Sequence, residues 1–148
     1  MDEKDIRMID VGSKNDTDRE AVAGGRIDIE AEALEKVMAG ELTKGNVIAA
    51  AKTAGIMAAK RTSSLLPLCH PLPINNVDVD VEPYESGLYV EVTVNYRGKT
   101  GVEMEALTGC SVALLTIYDM VKNEDKRMVI GEVKLLRKTG GKSGDWKR

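Results

Sequence analysis

Alternating hydrophobic and polar positions predict four strands in this chain. Residues 77–82 read Val-Asp-Val-Asp-Val-Glu, and residues 88–96 place valines on one side. An alternation of period two is typical of a strand with one buried face. The intervening residues 83–87 contain Pro and Gly and predict a turn, so the two runs form a hairpin. Two further strands are predicted, at residues 19–30 and 128–138.

Runs of small and aliphatic residues predict three helices. A short helix over Ala31–Ala39 is closed by Gly40, and Thr43 is the predicted N-cap of a helix over residues 44–63. That second helix is rich in Ala and Gly, which allow close packing against another backbone. Three prolines in residues 65–73 end it. A third helix, rich in Leu, Ala and Val, is predicted over residues 102–122.

The order strand, helix, helix, strand, strand, helix, strand predicts an α+β fold. It fits a ferredoxin-like antiparallel sheet with helices packed on one face and one extra helix. The valine face of the hairpin is expected to carry both long helices. Residues 1–18 are polar and aperiodic, which predicts an extended, partly disordered arm. Residues 19–148 are expected to form a single catalytic domain that ends in a Gly/Lys-rich loop.

Composition narrows the class of protein. A chain of 148 residues is the size of one domain. The charged start does not resemble a secretory signal, and no apolar run approaches the roughly 18 residues of a membrane helix. Two cysteines in a chain of this size indicate reduced thiols rather than a disulfide framework. We therefore expect a cytoplasmic protein with no membrane partner.

The net charge of −3 is unevenly distributed. Residues 122–148 hold nine Lys or Arg against four Asp or Glu, a balance of +5, so the remainder carries twelve against twenty, or −8. A basic end on an acidic body argues against nucleic-acid binding, which needs a basic face. It permits a local anion site, with a solvated basic tail as the alternative.

His70 is the single histidine and follows Cys69 in a loop bounded by prolines. The prolines would present the imidazole in a fixed place, where it could contact a flat ligand. A structural role is the alternative. No pair of potential ligands has metal-binding spacing, so no metal site is expected.

Acidic residues open the third helix at Glu103 and Glu105. They could serve the helix dipole or a ligand pocket. Because positions i and i+2 point to different faces of a helix, only one of them is expected to face a given pocket.

Near the end of the same helix, Asp119 and Lys122 lie three residues apart, and Asp119 has apolar neighbours on both sides. We expect that carboxylate to be partly desolvated and to act as an acid or base. A surface ion pair is the alternative.

Two lysines lie at the predicted ends of the second helix. Lys44 at the N-terminus opposes the helix dipole, which hints at a functional reason. Lys60 at the C-terminus is favoured by the dipole.

The run KTGGKSG at residues 138–144 lacks the spacing of a Walker phosphate loop. Its backbone N–H groups and two lysines could still wrap an anion. A disordered tail is the alternative.

Several dense motifs resemble the cyclic pyranopterin monophosphate synthase family, also called molybdenum cofactor biosynthesis protein C. The resemblance covers residues 8–146, and the LPLCHPL and GKTGVEMEALT runs are its most specific parts. The matching runs are MIDV (8–11), KG (44–45), AGIMAAKRT (54–62), LPLCHPL (66–72), GKTGVEMEALT (98–108), LTIYDM (115–120) and KTGGKSGD (138–145).

The resemblance implies a lyase that needs no cofactor. Its small-molecule nucleotide substrate would be 3′,8-cyclo-7,8-dihydroguanosine triphosphate, and pyrophosphate would leave as a cyclic phosphate closes. It also implies a homohexamer, a trimer of dimers with each site at a subunit interface. A non-catalytic ferredoxin-like module that senses a nucleotide or anion is the alternative, because fold alone does not fix function.

Residue roles are also implied by the resemblance. Asp119 and Lys122 match the family's acid/base pair, and Lys44 matches a further catalytic lysine. The substrate-binding positions that match are Leu68, Cys69, His70, Met104, Glu105, Arg19, Lys60 and Lys138.

Overall fold

The structure is a computed structural model that describes residues 5–148, so residues 1–4 of the predicted arm lie outside the described range. Residues 5–16 form a turn at 12–14 and no helix or strand. The elements that follow are β1 (Thr17–Asp28), α1 (Ala31–Ala39), α2 (Val47–Lys60), α3 (Thr62–Leu65), β2 (Asn76–Tyr84), β3 (Gly87–Gly98), α4 (Glu103–Val121), β4 (Val129–Thr139) and β5 (Trp146–Lys147).

The described strands form one antiparallel sheet in the order β2-β3-β1-β4-β5. The first strand lies in the middle, with Ala21 opposite Val94 of β3 on one side and Lys138 of β4 on the other. The predicted α+β, ferredoxin-like architecture is therefore confirmed. The register between β1 and β4 shifts on both sides of Gly24, which is typical of a local bulge.

The core lies between one face of the sheet and the two long helices. Val90, Val92 and Val94 of β3 are fully buried, as the alternation predicted. Against them packs α4, whose Leu114 and Ile117 are also fully buried. By length and composition alone α4 could cross a membrane, but the core helix of a globular protein passes the same test.

Helix α2 begins three residues later than predicted, and its N-cap is Asn46 rather than Thr43. The Asn46 side chain accepts a hydrogen bond from the backbone N–H of Ala49 at 2.9 Å. Gly45 has φ +103°, a conformation outside the helical region. Lys44 therefore lies in the loop before α2 and not on the helix. Its conflict with the helix dipole disappears.

The chain ends differ from the predicted bounds. Strand β1 includes Thr17 and Asp18, which the sequence placed in the arm. The C-terminal loop turns back so that β5, which was not predicted, pairs with β4. Gly140 in this loop has φ +88°, and a Cβ there would lie 2.1 Å from the carbonyl oxygen of Asp18. The turn back thus depends on a residue without a side chain.

Helices α2 and α4 approach each other through two glycines. A Cβ on Gly109 would lie 3.0 Å from the carbonyl oxygen of Gly55, and a Cβ on Gly55 would lie 3.2 Å from the carbonyl oxygen of Gly109. The helix backbones thus come so close that a methyl group on either glycine would crowd the backbone of the opposing helix. The predicted close packing of the small-residue helix is confirmed.

We expect Gly109→Val to destabilise the protein by about 1–3 kcal/mol, the usual cost of overpacking a tight core. The measurement is chemical denaturation at a fixed protein concentration. Ala49→Val, at an exposed position on α2, controls for the helix propensity of a β-branched residue. Equal stability of the two variants would contradict the close approach of the helices.

Candidate active site

Cys69 and His70 lie against the first turn of α4 in a small space that we call the carboxyl pocket. The chain after α3 turns with the Cys69 N–H donating to the Leu66 carbonyl at 3.2 Å. This turn brings the thiol and the imidazole to the helix. The pocket has a volume of about 160 Å³ and is lined by Cys69, His70, Leu72, Thr100, Gly101, Glu103, Met104 and Glu105. The predicted grouping of Cys69, His70, Met104 and Glu105 is present in one place.

Two carboxyl groups enter this pocket, where the sequence predicted one. Because the pocket faces the end of α4 rather than its side, Glu103 and Glu105 both line it. A Cβ on Gly101 would lie 2.1 Å from a Glu103 carboxylate oxygen, so the Glu103 side chain folds over that glycine.

Burial is the main influence on the pKa of Glu105. Its side chain is 5% exposed, and this desolvation raises its pKa above the ordinary value. The Glu105 backbone N–H acts in the opposite direction, and the charge of Glu103 raises the pKa further. Burial likewise raises the pKa of the Cys69 thiol, with a contribution from the Glu105 charge. Both groups therefore lose their protons at higher pH than they would in water.

A larger cavity, which we call the cationic cavity, adjoins the carboxyl pocket and shares Gly101 and Glu103 with it. Its volume is about 470 Å³. It lies where β1, β4 and the C-terminal loop meet, since Glu20 of β1 is paired with Thr139 of β4. It is lined by Lys14, Asn15, Thr17, Arg19, Gly101, Glu103, Lys138, Gly140, Gly141, Lys142 and Ser143.

The C-terminal loop holds the Arg19 side chain in the cationic cavity. The Arg19 Nε donates to the Gly98 carbonyl at 3.4 Å. A Cβ on Gly141 would lie 2.2 Å from a guanidinium nitrogen of Arg19. The glycine-rich loop thus packs directly on this cation. Of the two interpretations of the run at residues 138–144, its place in this cavity favours the anion loop.

Lys14 and Thr17 line the cationic cavity but were not among the predicted site residues. Lys14 was assigned to a polar arm, yet its carbonyl accepts a hydrogen bond from Lys99 at 2.9 Å. A basic residue three positions after the MIDV run was the available signal. Thr17 Oγ1 is buried without a hydrogen-bond partner among the described residues. Only the three-dimensional structure could reveal that.

Lys44, Asp119 and Lys122 form a third group, the acid/base cluster. Lys122 Nζ lies 2.9 Å from Asp119 Oδ1, and Lys44 Nζ lies 3.6 Å from Oδ2. Lys44 also donates to the Asp119 carbonyl at 3.0 Å. The loop before α2 brings Lys44 to a position 75 residues away in sequence. The predicted association of these three residues is present.

The expected desolvation of Asp119 was wrong. Its side chain is 61% exposed, because its apolar neighbours point into the core while it points out. The hydrogen bond from Lys122 lowers the pKa of Asp119 most, followed by the charges of Lys122 and Lys44. The carboxylate therefore stays ionised to lower pH than an ordinary aspartate.

The acid/base cluster and the carboxyl pocket lie at opposite ends of α4. Sixteen residue steps separate Glu103 from Asp119, about 24 Å at the rise of an α-helix. The two groups of side chains of one chain are therefore well separated along the helix.

Two predicted substrate-binding residues lie outside both the carboxyl pocket and the cationic cavity. Lys60 lines a separate cavity of about 230 Å³ near the start of β2, and Leu68 is 43% exposed. Within residues 5–148 no three His, Cys, Asp or Glu side chains are arranged to hold a metal ion.

Comparison with known proteins identifies the family. The MoaC family matches residues 8–141. A protein of Brucella ovis named cyclic pyranopterin monophosphate synthase is 54% identical over 141 residues, which are 94% of this chain and 86% of that protein. Proteins of the same name from Brucella abortus and Brucella canis are 54% and 53% identical over the same shares. The chain therefore belongs to the MoaC family.

Proposed function

We propose that this protein is a cyclic pyranopterin monophosphate synthase of molybdenum cofactor biosynthesis. It would convert 3′,8-cyclo-7,8-dihydroguanosine triphosphate into cyclic pyranopterin monophosphate and release pyrophosphate. The observation that carries the proposal is the junction of the cationic cavity with the carboxyl pocket at Gly101 and Glu103. The family relatives bear the same activity in their names.

The cationic cavity suits the triphosphate. Lys14, Arg19, Lys138 and Lys142 surround it, and the Gly140–Gly141 turn adds backbone to its wall. Cations that donate hydrogen bonds to phosphate oxygens bind more strongly than neutral donors. We therefore propose that the triphosphate binds between β1, β4 and the C-terminal loop.

The carboxyl pocket suits the ring system derived from guanine. That ring offers N–H donors, and the carboxylates of Glu103 and Glu105 can accept from them. The raised pKa of Glu105 brings its proton exchange closer to neutral pH than that of an ordinary glutamate. His70 and Cys69 complete the opposite wall.

The acid/base cluster suits the proton transfers of ring opening and closure. An ionised Asp119 can accept a proton, and the Lys122 ammonium 2.9 Å away can donate one. The Lys44 ammonium adds positive charge that would stabilise a developing anion.

The proposal assigns the reaction to the lyases. A substrate hydroxyl attacks the α-phosphorus and gives its proton to a base, the bond from that phosphorus to the bridging oxygen breaks, and pyrophosphate leaves with the bond's electron pair. No water is added to the product and no second substrate receives the phosphoryl group. We propose that the reaction takes place in the cytoplasm.

We further propose that each site is shared between two copies of the chain in a homo-oligomer, with a hexamer as the expected assembly. The separation of about 24 Å along α4 supports sharing, since one ligand would then meet the carboxyl pocket of one copy and the acid/base cluster of another.

The direct test is release of pyrophosphate by the purified protein from 3′,8-cyclo-7,8-dihydroguanosine triphosphate, with formation of the cyclic product followed in parallel. The proposed synthase turns over many equivalents of substrate. A sensor would bind the nucleotide without turnover, and that result would replace the proposal.

Asp119→Asn removes the carboxylate charge at constant size. We expect turnover to fall about a hundredfold or more, the usual scale for a general acid or base, while the circular dichroism spectrum stays unchanged. Asp80→Asn on the exposed edge of the hairpin is the matched control and should turn over like the parent. Near-parent turnover by Asp119→Asn would remove Asp119 from catalysis.

Lys44→Ala should weaken turnover or substrate binding, because an ammonium beside Asp119 is lost. Since the Lys44 side chain is 42% exposed, high salt should reproduce part of the defect in the parent protein. Substrate affinity by calorimetry and steady-state rates measure both effects. Lys52→Ala on the exposed face of α2 is the control. Parent-like binding and rate would exclude Lys44 from the site.

Complementation tests the shared site. Inactive Asp119→Asn and inactive His70→Ala proteins are dissociated, mixed and reassembled. If one site draws these residues from different chains, some mixed sites carry neither lesion and activity partly returns. If both come from one chain, every site keeps a lesion and no activity returns. A parent protein that sediments as a monomer at micromolar concentration would also refute sharing.

A further inference from the structure

Asp125 is a buried carboxylate that no proposed catalytic step uses. Its side chain is 4% exposed, and it lies in the turn after α4. Asp125 Oδ2 accepts a hydrogen bond from the Glu30 N–H at 2.9 Å, and Oδ1 accepts from the Arg127 N–H at 2.8 Å. Both oxygens are thus engaged, one across 95 residues of sequence and one within its own turn.

Glu30 is the N-cap residue of α1, and its side chain does not cap the helix. The Asp125 carboxylate therefore ties the entry of α1 to the turn that follows α4. A buried carboxyl group that accepts from two backbone donors is costly to remove, because each donor would be left without a partner.

Three polar contacts join the segment at residues 30–44 to the end of α4 and its following turn. Glu30 meets Asp125, Lys36 meets Glu124 at 2.9 Å, and Lys44 meets Asp119. Later residues of the segment at residues 30–44 contact earlier residues of the segment at 119–125, so the two segments run antiparallel. The contact at Lys44 is the one that belongs to the acid/base cluster.

Only the contact at Asp125 is buried. Lys36 and Glu124 are 40% and 35% exposed, and Lys44 is 42% exposed. Exposed ion pairs contribute little, because solvent screens them and two long side chains must be ordered. Asp125 is thus the strongest polar anchor of this segment.

We propose that Asp125 is a positioning residue. Its carboxylate holds the segment at residues 30–44 against the end of α4 and thereby holds the Lys44 ammonium against Asp119. The catalytic consequence rests on the proposed function. The geometric consequence does not, since it concerns the distance between two side chains of this chain.

The pKa of Asp119 depends on the distance between its carboxylate and the Lys44 ammonium, so a measured pKa shows whether Lys44 is in place. The described charges that act on Asp119 are Lys122 on its own helix and Lys44 from the loop before α2. If Lys44 moves away, the pKa of Asp119 rises. The carboxylate is then protonated at higher pH, and activity that needs the ionised form is lost at higher pH as well.

The experiment is a ¹³C-carboxyl titration of Asp119 by NMR in the full assembled protein, combined with kcat and KM as functions of pH. In Asp125→Ala we expect the pKa of Asp119 to rise towards the value in Lys44→Ala. We also expect kcat to fall about tenfold or more, with its acidic limb displaced to higher pH. The double variant Lys44→Ala/Asp125→Ala should titrate like Lys44→Ala alone, because Asp125 acts through Lys44.

Two further variants separate positioning from stability. Val22→Ala removes two methyl groups from a buried position of β1 that lies outside the core cluster packed against the helices, and it should lower the melting temperature without changing the titration of Asp119. Asp125→Asn keeps one acceptor oxygen and should give an intermediate shift, and it serves if Asp125→Ala does not fold.

A parent-like pKa of Asp119 in both Asp125 variants, or in the one that folds, would overturn the positioning role. The titration needs no turnover, so absence of pyrophosphate release by the parent would refute the proposed function and leave the positioning test intact.

Discussion

Gly55 and Gly109 let α2 and α4 approach backbone to backbone, and this contact fixes the helix that carries Glu103 and Glu105 near one end and Asp119 near the other. The other side of α4 packs against the buried valines of β3, so the helix is held between α2 and the sheet. The carboxyl pocket lies at the N-terminal end of α4, and Asp119 and Lys122 lie at its C-terminal end. The separation of about 24 Å along α4 is the basis for proposing that two copies of the chain share each site.

The same helix carries two acidic residues in opposite electrostatic settings. Burial raises the pKa of Glu105 at the first turn, whereas the Lys122 and Lys44 ammonium groups lower the pKa of exposed Asp119 near the last turn. The two environments thus shift the pKa values of the two carboxyl groups in opposite directions. This contrast supports different roles for the two groups, ring recognition for Glu105 and proton transfer for Asp119.

The sequence predicted the fold well because its strands alternate strictly and its helices are rich in small residues. It failed where local geometry decided the outcome. The left-handed backbone at Gly45 places Lys44 in a loop, and the end-on pocket admits both Glu103 and Glu105. Apolar neighbours of Asp119 suggested desolvation, yet periodicity alone could not tell which face of α4 points outwards. The role of Lys14 required the pairing of distant segments.

The central claim is that two copies of the chain complete one site. A crystal structure of the assembled protein with a non-hydrolysable analogue of the cyclic triphosphate substrate tests it most directly. We expect a ligand whose ring contacts His70 and Glu105 of one copy while Asp119 and Lys122 of another copy contact the same ligand. A ligand held entirely by residues of a single copy would contradict it.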